Sequence, residues 1–240
     1  MALIGKHTFR LRPQDCDFTE KIAIPALGDY ILQTAGINAD ENGFGMNNLH
    51  HLGYTWVLSR LAIEMQRLPL VNEYMTIETW IETIGRIATT RNFKMLDSKG
   101  TIIGGVCSNW AMIDIASRQS VDLQTLKSIT DYIEGTPSIV EKPVKVVVPE
   151  GKPVETRRVR YSDIDSNCHT NSMKYLEWML DRLSLEWYEK HQIKRLDVNF
   201  LHEALYDEEV TIFQQERDNV SLFEIKKTSG ETVCKMKLRW

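Results

Sequence analysis

The sequence predicts an α+β fold in two similar halves, and three observations carry that reading. Each half orders a strand, a helix and then a run of strands, an order that suits antiparallel sheets; strands alternating with helices would suggest a parallel one. A proline-rich stretch divides the chain near residue 145, with Pro137, Pro143, Pro149 and Pro153 inside it. Residues 11–21 also recur, without a gap, as residues 159–169.

The elements follow in order. HTFRLR alternates apolar Phe9 and Leu11 with polar neighbours, as a half-buried strand does. IPALGDYILQTAG reads as a helix, with Pro25 in its first turn, Leu27, Ile31 and Leu32 on one face and Gly36 as its C-terminal cap. Four strand-like runs come next: TWVLSRLAIEM, YMTIETWIETI, IATTRNFKML and, after a turn at Ser98, Lys99 and Gly100, TIIGGVCSNWAMID. Proline has no N–H for a ladder and disfavours helix in the residue before it, so the stretch that follows is expected to be an extended linker. Beyond it, ETRRVRY is a strand. NSMKYLEWMLDRLSLEWYEKH reads as one long helix with Leu176, Met179, Leu183 and Trp187 on a stripe. IKRLDVNFLHEA, EVTIFQQER, VSLFEIKKT and ETVCKMKLRW are extended, with turns at Asp218 and Asn219 and at Ser229 and Gly230. The expected domains are residues 1–135 and 155–240, with 136–154 as linker.

The internal repeat runs at a constant offset of 148 residues, from Arg12 to Arg160, Asp15 to Asp163 and Asp17 to Asp165. Ile31 and Leu32 then fall on Met179 and Leu180. The differences are informative: Thr19 stands where the second copy has Asn167, and Lys21 where it has His169. One copy keeps groups able to do chemistry, and the other keeps a scaffold.

Composition narrows the function classes. The chain has 240 residues, 42% apolar and 26% charged, enough for ordinary cores. A net charge of −4 argues against a broad nucleic-acid surface. No apolar run approaches the roughly 20 residues that span a bilayer, and MALIGKHTFRLR lacks the features of a secretory signal, so a soluble cytoplasmic protein is expected. Cys16, Cys107, Cys168 and Cys234 are scattered, as free thiols in a reducing compartment would be. No metal or cofactor is expected. His50 and His51 read as a surface loop, Gly43 and Gly45 lack the third glycine of a dinucleotide loop, and Gly104 and Gly105 mark a bulge or a close backbone approach.

The segment richest in reactive groups is YSDIDSNCHTNSMKYLEW. Asp165, Asn167 and His169 recur at every second position, so an extended backbone would put all three on one face. A helix beginning near Asn171 would aim its N-terminal N–H groups at the same place. A carboxylate, an amide, an imidazole and a helix start can together polarise a carbonyl and move a proton. The alternative is a polar loop in which Asp163, Asp165 and Ser166 cap the helix. Cys168, next to His169, would point to the opposite side and read as a small packed residue.

Asp165, Asn167, His169 and Asn171, followed by Lys174, Tyr175 and Trp178, resemble the D-x-N-x-H segment and following helix of the acyl-acyl carrier protein thioesterases of plants and bacteria. GFGMNNLHHLGYTWVLSRLAIEM, VNEYMTIETWIE and CSNWAMIDIASRQ, with Trp56 and Trp110, resemble the first domain of that family. The resemblance implies a tandem hot-dog fold, two antiparallel sheets each wrapping a long helix, with one active site. It implies a catalytic set of Asp165, Asn167, His169 and Glu203, the last followed by Ala204 where the family often has cysteine. Glu203 would then be base or nucleophile, and Asn167 with the N–H groups near Thr170 and Asn171 would hold the oxyanion. Asp165 and His169 would orient Asn167 and manage the proton. Met46, Trp56 and Leu58 are expected along an acyl tunnel. An acidic acyl carrier protein would dock on basic residues: Arg157, Arg158 and Arg160 before the segment, or Lys190, Lys194 and Arg195 after its helix. Acyl-CoA hydrolysis, hydroxyacyl dehydration and a non-catalytic acyl-binding module are the rival readings, because fold alone does not fix function. Two hot dogs in one chain already make a pair, and further homodimer formation stays open.

Overall fold

Ten strands form one sheet in the computed structural model, which describes residues 3–125 and 131–240; Met1 and Ala2, where the N-terminal reading began, lie outside it. The first half contributes β1 (Gly5–Arg10), β2 (Tyr54–Met65), β3 (Tyr74–Ile84), β4 (Thr89–Leu96) and β5 (Ile102–Asp114). The second contributes β6 (Lys152–Arg158), β7 (Arg195–Phe200), β8 (Glu209–Arg217), β9 (Val220–Lys227) and β10 (Thr232–Arg239). The spatial order is β1-β3-β4-β5-β2-β7-β10-β9-β8-β6, so the second half mirrors the first across the β2–β7 junction. Those two strands pair antiparallel from Arg60↔Asn199 to Glu64↔Arg195. The two hot-dog sheets are thus hydrogen-bonded edge to edge, as two copies are across a self-complementary two-fold interface.

Helices α1 (Ile24–Glu41) and α3 (Ser172–Leu180) pack on the inner face of this sheet. Leu27, Ile31 and Ala35 of α1 share one core with Ile63, Ile77 and Phe93, and Leu176 and Met179 of α3 share it with Val198, Ile212 and Phe223. The two helices also touch each other. A Cβ on Gly28 would lie 2.1 Å from the Met173 sulfur, so glycine is what permits the close crossing.

Three local readings are corrected. Gly36 does not end α1, which continues to Glu41: Asn38 and Ala39 are buried in the next turn, and burial outweighs the roughly 1 kcal/mol that a mid-helix glycine costs. The long second-half helix is two helices, α3 and then α4 (Leu185–Lys190). Ser184 breaks it, because its side chain accepts the Trp187 N–H and starts a new helix. His50 and His51 close a short helix, α2 (Met46–His51), where a loop was expected.

The proline-rich stretch crosses the outer face of β7, and β6 begins at Lys152, inside the 136–154 expected as linker. Alternation on β7 turns Leu196 and Val198 inward and Arg195, Asp197 and Asn199 outward, and the outward set binds the linker backbone. Val146 N–H donates to Asn199 Oδ1 (2.8 Å), Asn199 Nδ2 donates to Val144 O (2.9 Å), and Val144 N–H donates to Asp197 Oδ1 (3.1 Å). Arg195 donates to the carbonyls of Glu141 (3.1 Å) and Lys142 (3.2 Å). Gly105 allows the approach, since a Cβ there would lie 2.7 Å from Ile139; the pair Gly104 and Gly105 is a close-approach site, as read. The chain rejoins the sheet at Lys152.

Arg195 and Asp197 form a two-point ion pair, at 2.8 and 2.9 Å, with side chains only 2% and 3% exposed. Arg195 also pairs with half-exposed Glu64 (3.1 Å), so removing Asp197 leaves its buried charge only partly matched. Asp197→Ala is therefore expected to lower unfolding stability in urea by about 2–3 kcal/mol, since it also leaves the Val144 N–H without its acceptor. An unchanged midpoint in the single variant would rule out the pair as a structural element.

Candidate active site

The segment that carries Asp165, Asn167 and His169 is a closed turn, which corrects the extended reading. Asp163 ends a short 3-10 turn and its Oδ2 accepts Arg160 N–H at 2.7 Å. Ile164 then pairs with Thr170, and between them Asp165 N–H donates to His169 O at 2.9 Å. Asp165 Oδ1 accepts the backbone N–H groups of Asn167 (2.8 Å) and His169 (3.3 Å). An aspartate can satisfy backbone donors just ahead of it, and that tendency outcompetes the strand. The same turn occurs in the first half: Asp17 Oδ1 accepts Thr19 N–H at 2.8 Å, Cys16 pairs with Ile22, and Glu20 matches Cys168 with φ 61° against 64°. Asn171 caps α3, its side chain accepting Met173 N–H at 2.8 Å.

Glu203 reaches this turn from the loop after β7. Its neighbour Ala204 is clamped on both sides: the carbonyl accepts Thr170 N–H (3.0 Å) and Thr170 Oγ1 (2.7 Å), and the N–H donates to the Tyr175 hydroxyl (2.9 Å). Burial pushes the Tyr175 phenol pKa well up, so it stays protonated. Held in this way, Glu203 Oε2 lies 3.1 Å from His169 Nε2. The same oxygen also accepts from Arg118 Nη2. The backbone donors expected to hold an oxyanion are occupied: Thr170 N–H by Ala204 O, and Asn171 N–H by Asp163 O at 2.8 Å. Closing the turn and docking Glu203 consume them.

Asp165, Asn167, His169, Glu203 and Arg118 line one cavity of about 690 Å³. It continues into the first half past Met46, Trp56 and Leu58, all three of which line it. Gly36 of α1 borders it too, and a Cβ there would meet nothing within 4 Å. Arg91 on β4 lines its wall, buried, donating to Asn38 Oδ1 at 2.8 Å and Thr79 Oγ1 at 3.3 Å. Burial pulls its pKa down to about 10, and no carboxylate pairs with it among the described residues. Sequence reasoning passed over Arg91 and Arg118. The signal for Arg91 was a charge near the middle of the strand-like run IATTRNFKML.

None of the four thiols borders the cavity. Cys168 is exposed, and burial pushes the Cys107 thiol up to about 11 and that of Cys234 further. Of the basic residues, Arg157 is stacked 4.3 Å above the Trp178 ring, and Arg158 pairs with Asp207 (3.3 Å) and Glu209 (3.9 Å). Arg160 has an exposed side chain. Lys194 is exposed and Lys190 pairs with Glu186. Arg195 is buried in the sheet, which removes it from any docking surface.

The fold and its cavity define the class: a doubled hot dog with an acid–imidazole contact lining one cavity. The sequence model described as the acyl-ACP thioesterase N-terminal domain matches residues 3–129, and that of the C-terminal domain matches residues 149–240. The chain belongs to the acyl-ACP thioesterase family. It is 37% identical to an acyl-ACP thioesterase from Bacteroides thetaiotaomicron, whose crystal structure superposes with a TM-score of 0.93 over 99% of this chain and 97% of the other. The 12:0-ACP thioesterase from Umbellularia californica, 18% identical, shares the fold with a TM-score of 0.87 over 100% and 98% of the two chains. Oleoyl-acyl carrier protein thioesterase 2, chloroplastic, of Arabidopsis thaliana is 23% identical over 95% of this chain and 67% of its own length. For the oleoyl-acyl carrier protein thioesterase of Coriandrum sativum, 24% identical, the shares are 87% and 62%.

The clamp on Ala204 makes a separable prediction. Tyr175→Phe leaves a buried N–H without its acceptor and should cost about 1–3 kcal/mol of stability. It should also lower kcat more than it raises KM, because Glu203 is no longer held. Unaltered unfolding and turnover together would show that the hydroxyl positions nothing.

Proposed function

We propose that this chain hydrolyses the thioester of fatty acyl-acyl carrier protein, releasing the free fatty acid and the carrier protein and so ending chain elongation. The observation that carries the reading is the 3.1 Å contact between Glu203 and His169, brought from distant segments to the open end of a largely apolar cavity. The acyl chain lies along α1 and β2, past Met46, Trp56 and Leu58. Glu203 takes a proton from water as the water oxygen attacks the carbonyl carbon. Asn167 donates its side-chain amide to the oxyanion, the role left to it once the Thr170 and Asn171 N–H groups are engaged. Asp165 holds the turn that presents Asn167 and His169. The carbon–sulfur bond then breaks, and the proton passes by way of His169 to the departing thiol. Protein side chains and water suffice for these steps. The reaction is assigned to the cytoplasm on the sequence reading alone.

Glu203→Gln and Asn167→Ala should each lower kcat on acyl carrier protein thioesters by about 10²–10³-fold. Near-parental turnover in the Glu203 variant would remove it from the chemistry. A preference for acyl-CoA would favour the first rival reading, and ligand binding without turnover by the parent chain the non-catalytic one.

The carrier protein is assigned to the face bearing Arg158 and Arg160, with Arg157 contributing less because Trp178 occupies its guanidinium. Charge reversal at Arg158 and Arg160 together should raise KM for the carrier-protein substrate several-fold and spare a short soluble thioester, since rim charges act on encounter. Equal loss on both substrates would argue against docking there.

A further inference from the structure

Arg118 belongs to the first half, whereas the catalytic set proposed above belongs entirely to the second. It sits in the turn after β5 with φ 59°, a left-handed backbone that glycine adopts without strain and that a long side chain does not favour. The turn is built to keep it there. Asp114 Oδ1 accepts from Ser117 N–H (2.7 Å) and Ser117 Oγ (2.8 Å), Arg118 N–H donates to Asp114 O (2.9 Å), and Asp114 N–H donates to Gln119 O (2.9 Å). What arginine supplies and glycine lacks is a guanidinium that crosses to the other half. Its Nη2 meets Glu203 Oε2, the oxygen that His169 also contacts. Both contacts fall on Oε2, and Oε1 has no protein donor among the described residues. The ion pair is also part-exposed, at 47% and 34%, and pairs of that exposure add little to folding. A strained arginine making a contact of little structural worth points to work at the site.

We propose that Arg118 is a positioning residue: it anchors Oε2 of Glu203 and thereby presents Oε1 to the attacking water. The proposal rests on reading Glu203 as the base. The active site is then shared between the halves, the first supplying the group that aims the carboxylate of the second.

The test compares Arg118→Ala, Arg118→Lys and Glu203→Ala on an acyl carrier protein thioester and on a short thioester. Arg118→Ala should lower kcat about 10–100-fold on both substrates, with KM and the unfolding midpoint little changed. Arg118→Lys, which keeps the charge and loses the planar fork, should recover part of the loss. Added guanidinium ion should restore turnover in Arg118→Ala and not in Glu203→Ala. Parental kcat in Arg118→Ala, with Glu203→Ala inactive, overturns the role of Arg118 alone. Activity in Glu203→Ala overturns the reading of Glu203 and this proposal with it. A loss that neither guanidinium nor lysine repairs marks Arg118 as structural and also overturns the proposal.

Discussion

The active centre depends on one strand pairing, that of β2 with β7. β5 pairs with β2, so the turn after β5 is carried to the junction; Glu203 follows β7 and arrives there from the other side. Strand pairing has a period of two, and a slip of one residue would exchange the faces of β7. Leu196 and Val198 would leave the core, and Arg195 and Asp197 would enter it. The linker guards against that slip, because its backbone groups are matched to Arg195, Asp197 and Asn199. A segment that looked like a spacer in the sequence therefore pins the register on which the site relies.

Much of the fold was legible because it is written in local chemistry. Alternation marked the strands, and the offset of 148 residues marked a duplication that extends to backbone detail, down to the left-handed Glu20 and Cys168. Where the reading missed, a competing local or tertiary term won. Ser184 capped a new helix inside a good apolar stripe, and burial of Asn38 and Ala39 carried α1 past Gly36. Asp165, Asn167 and His169 do line one cavity, though not by strand alternation: a turn closed by Asp165 itself presents them.

The site was less legible, since its geometry is non-local. The docking of Glu203 runs through Ala204 to Thr170 and Tyr175, contacts separated by 34 and 29 residues that no spacing rule reveals. Glu203 entered through family resemblance. Arg118 and Arg91 carried no pattern beyond a charge in an unexpected place. The halves differ accordingly: the first supplies most of the apolar cavity wall, the second most of its polar groups.

Gly36 sets two selective pressures against each other. Alanine in its place would strengthen the helix by about 1 kcal/mol, and the space beside it is open. That space belongs to the cavity, so every added methyl group would be taken from the volume open to an acyl chain. Greater heat resistance and a roomier substrate range pull in opposite directions at this one position, and the bare hydrogen found there marks a chain that has kept the room.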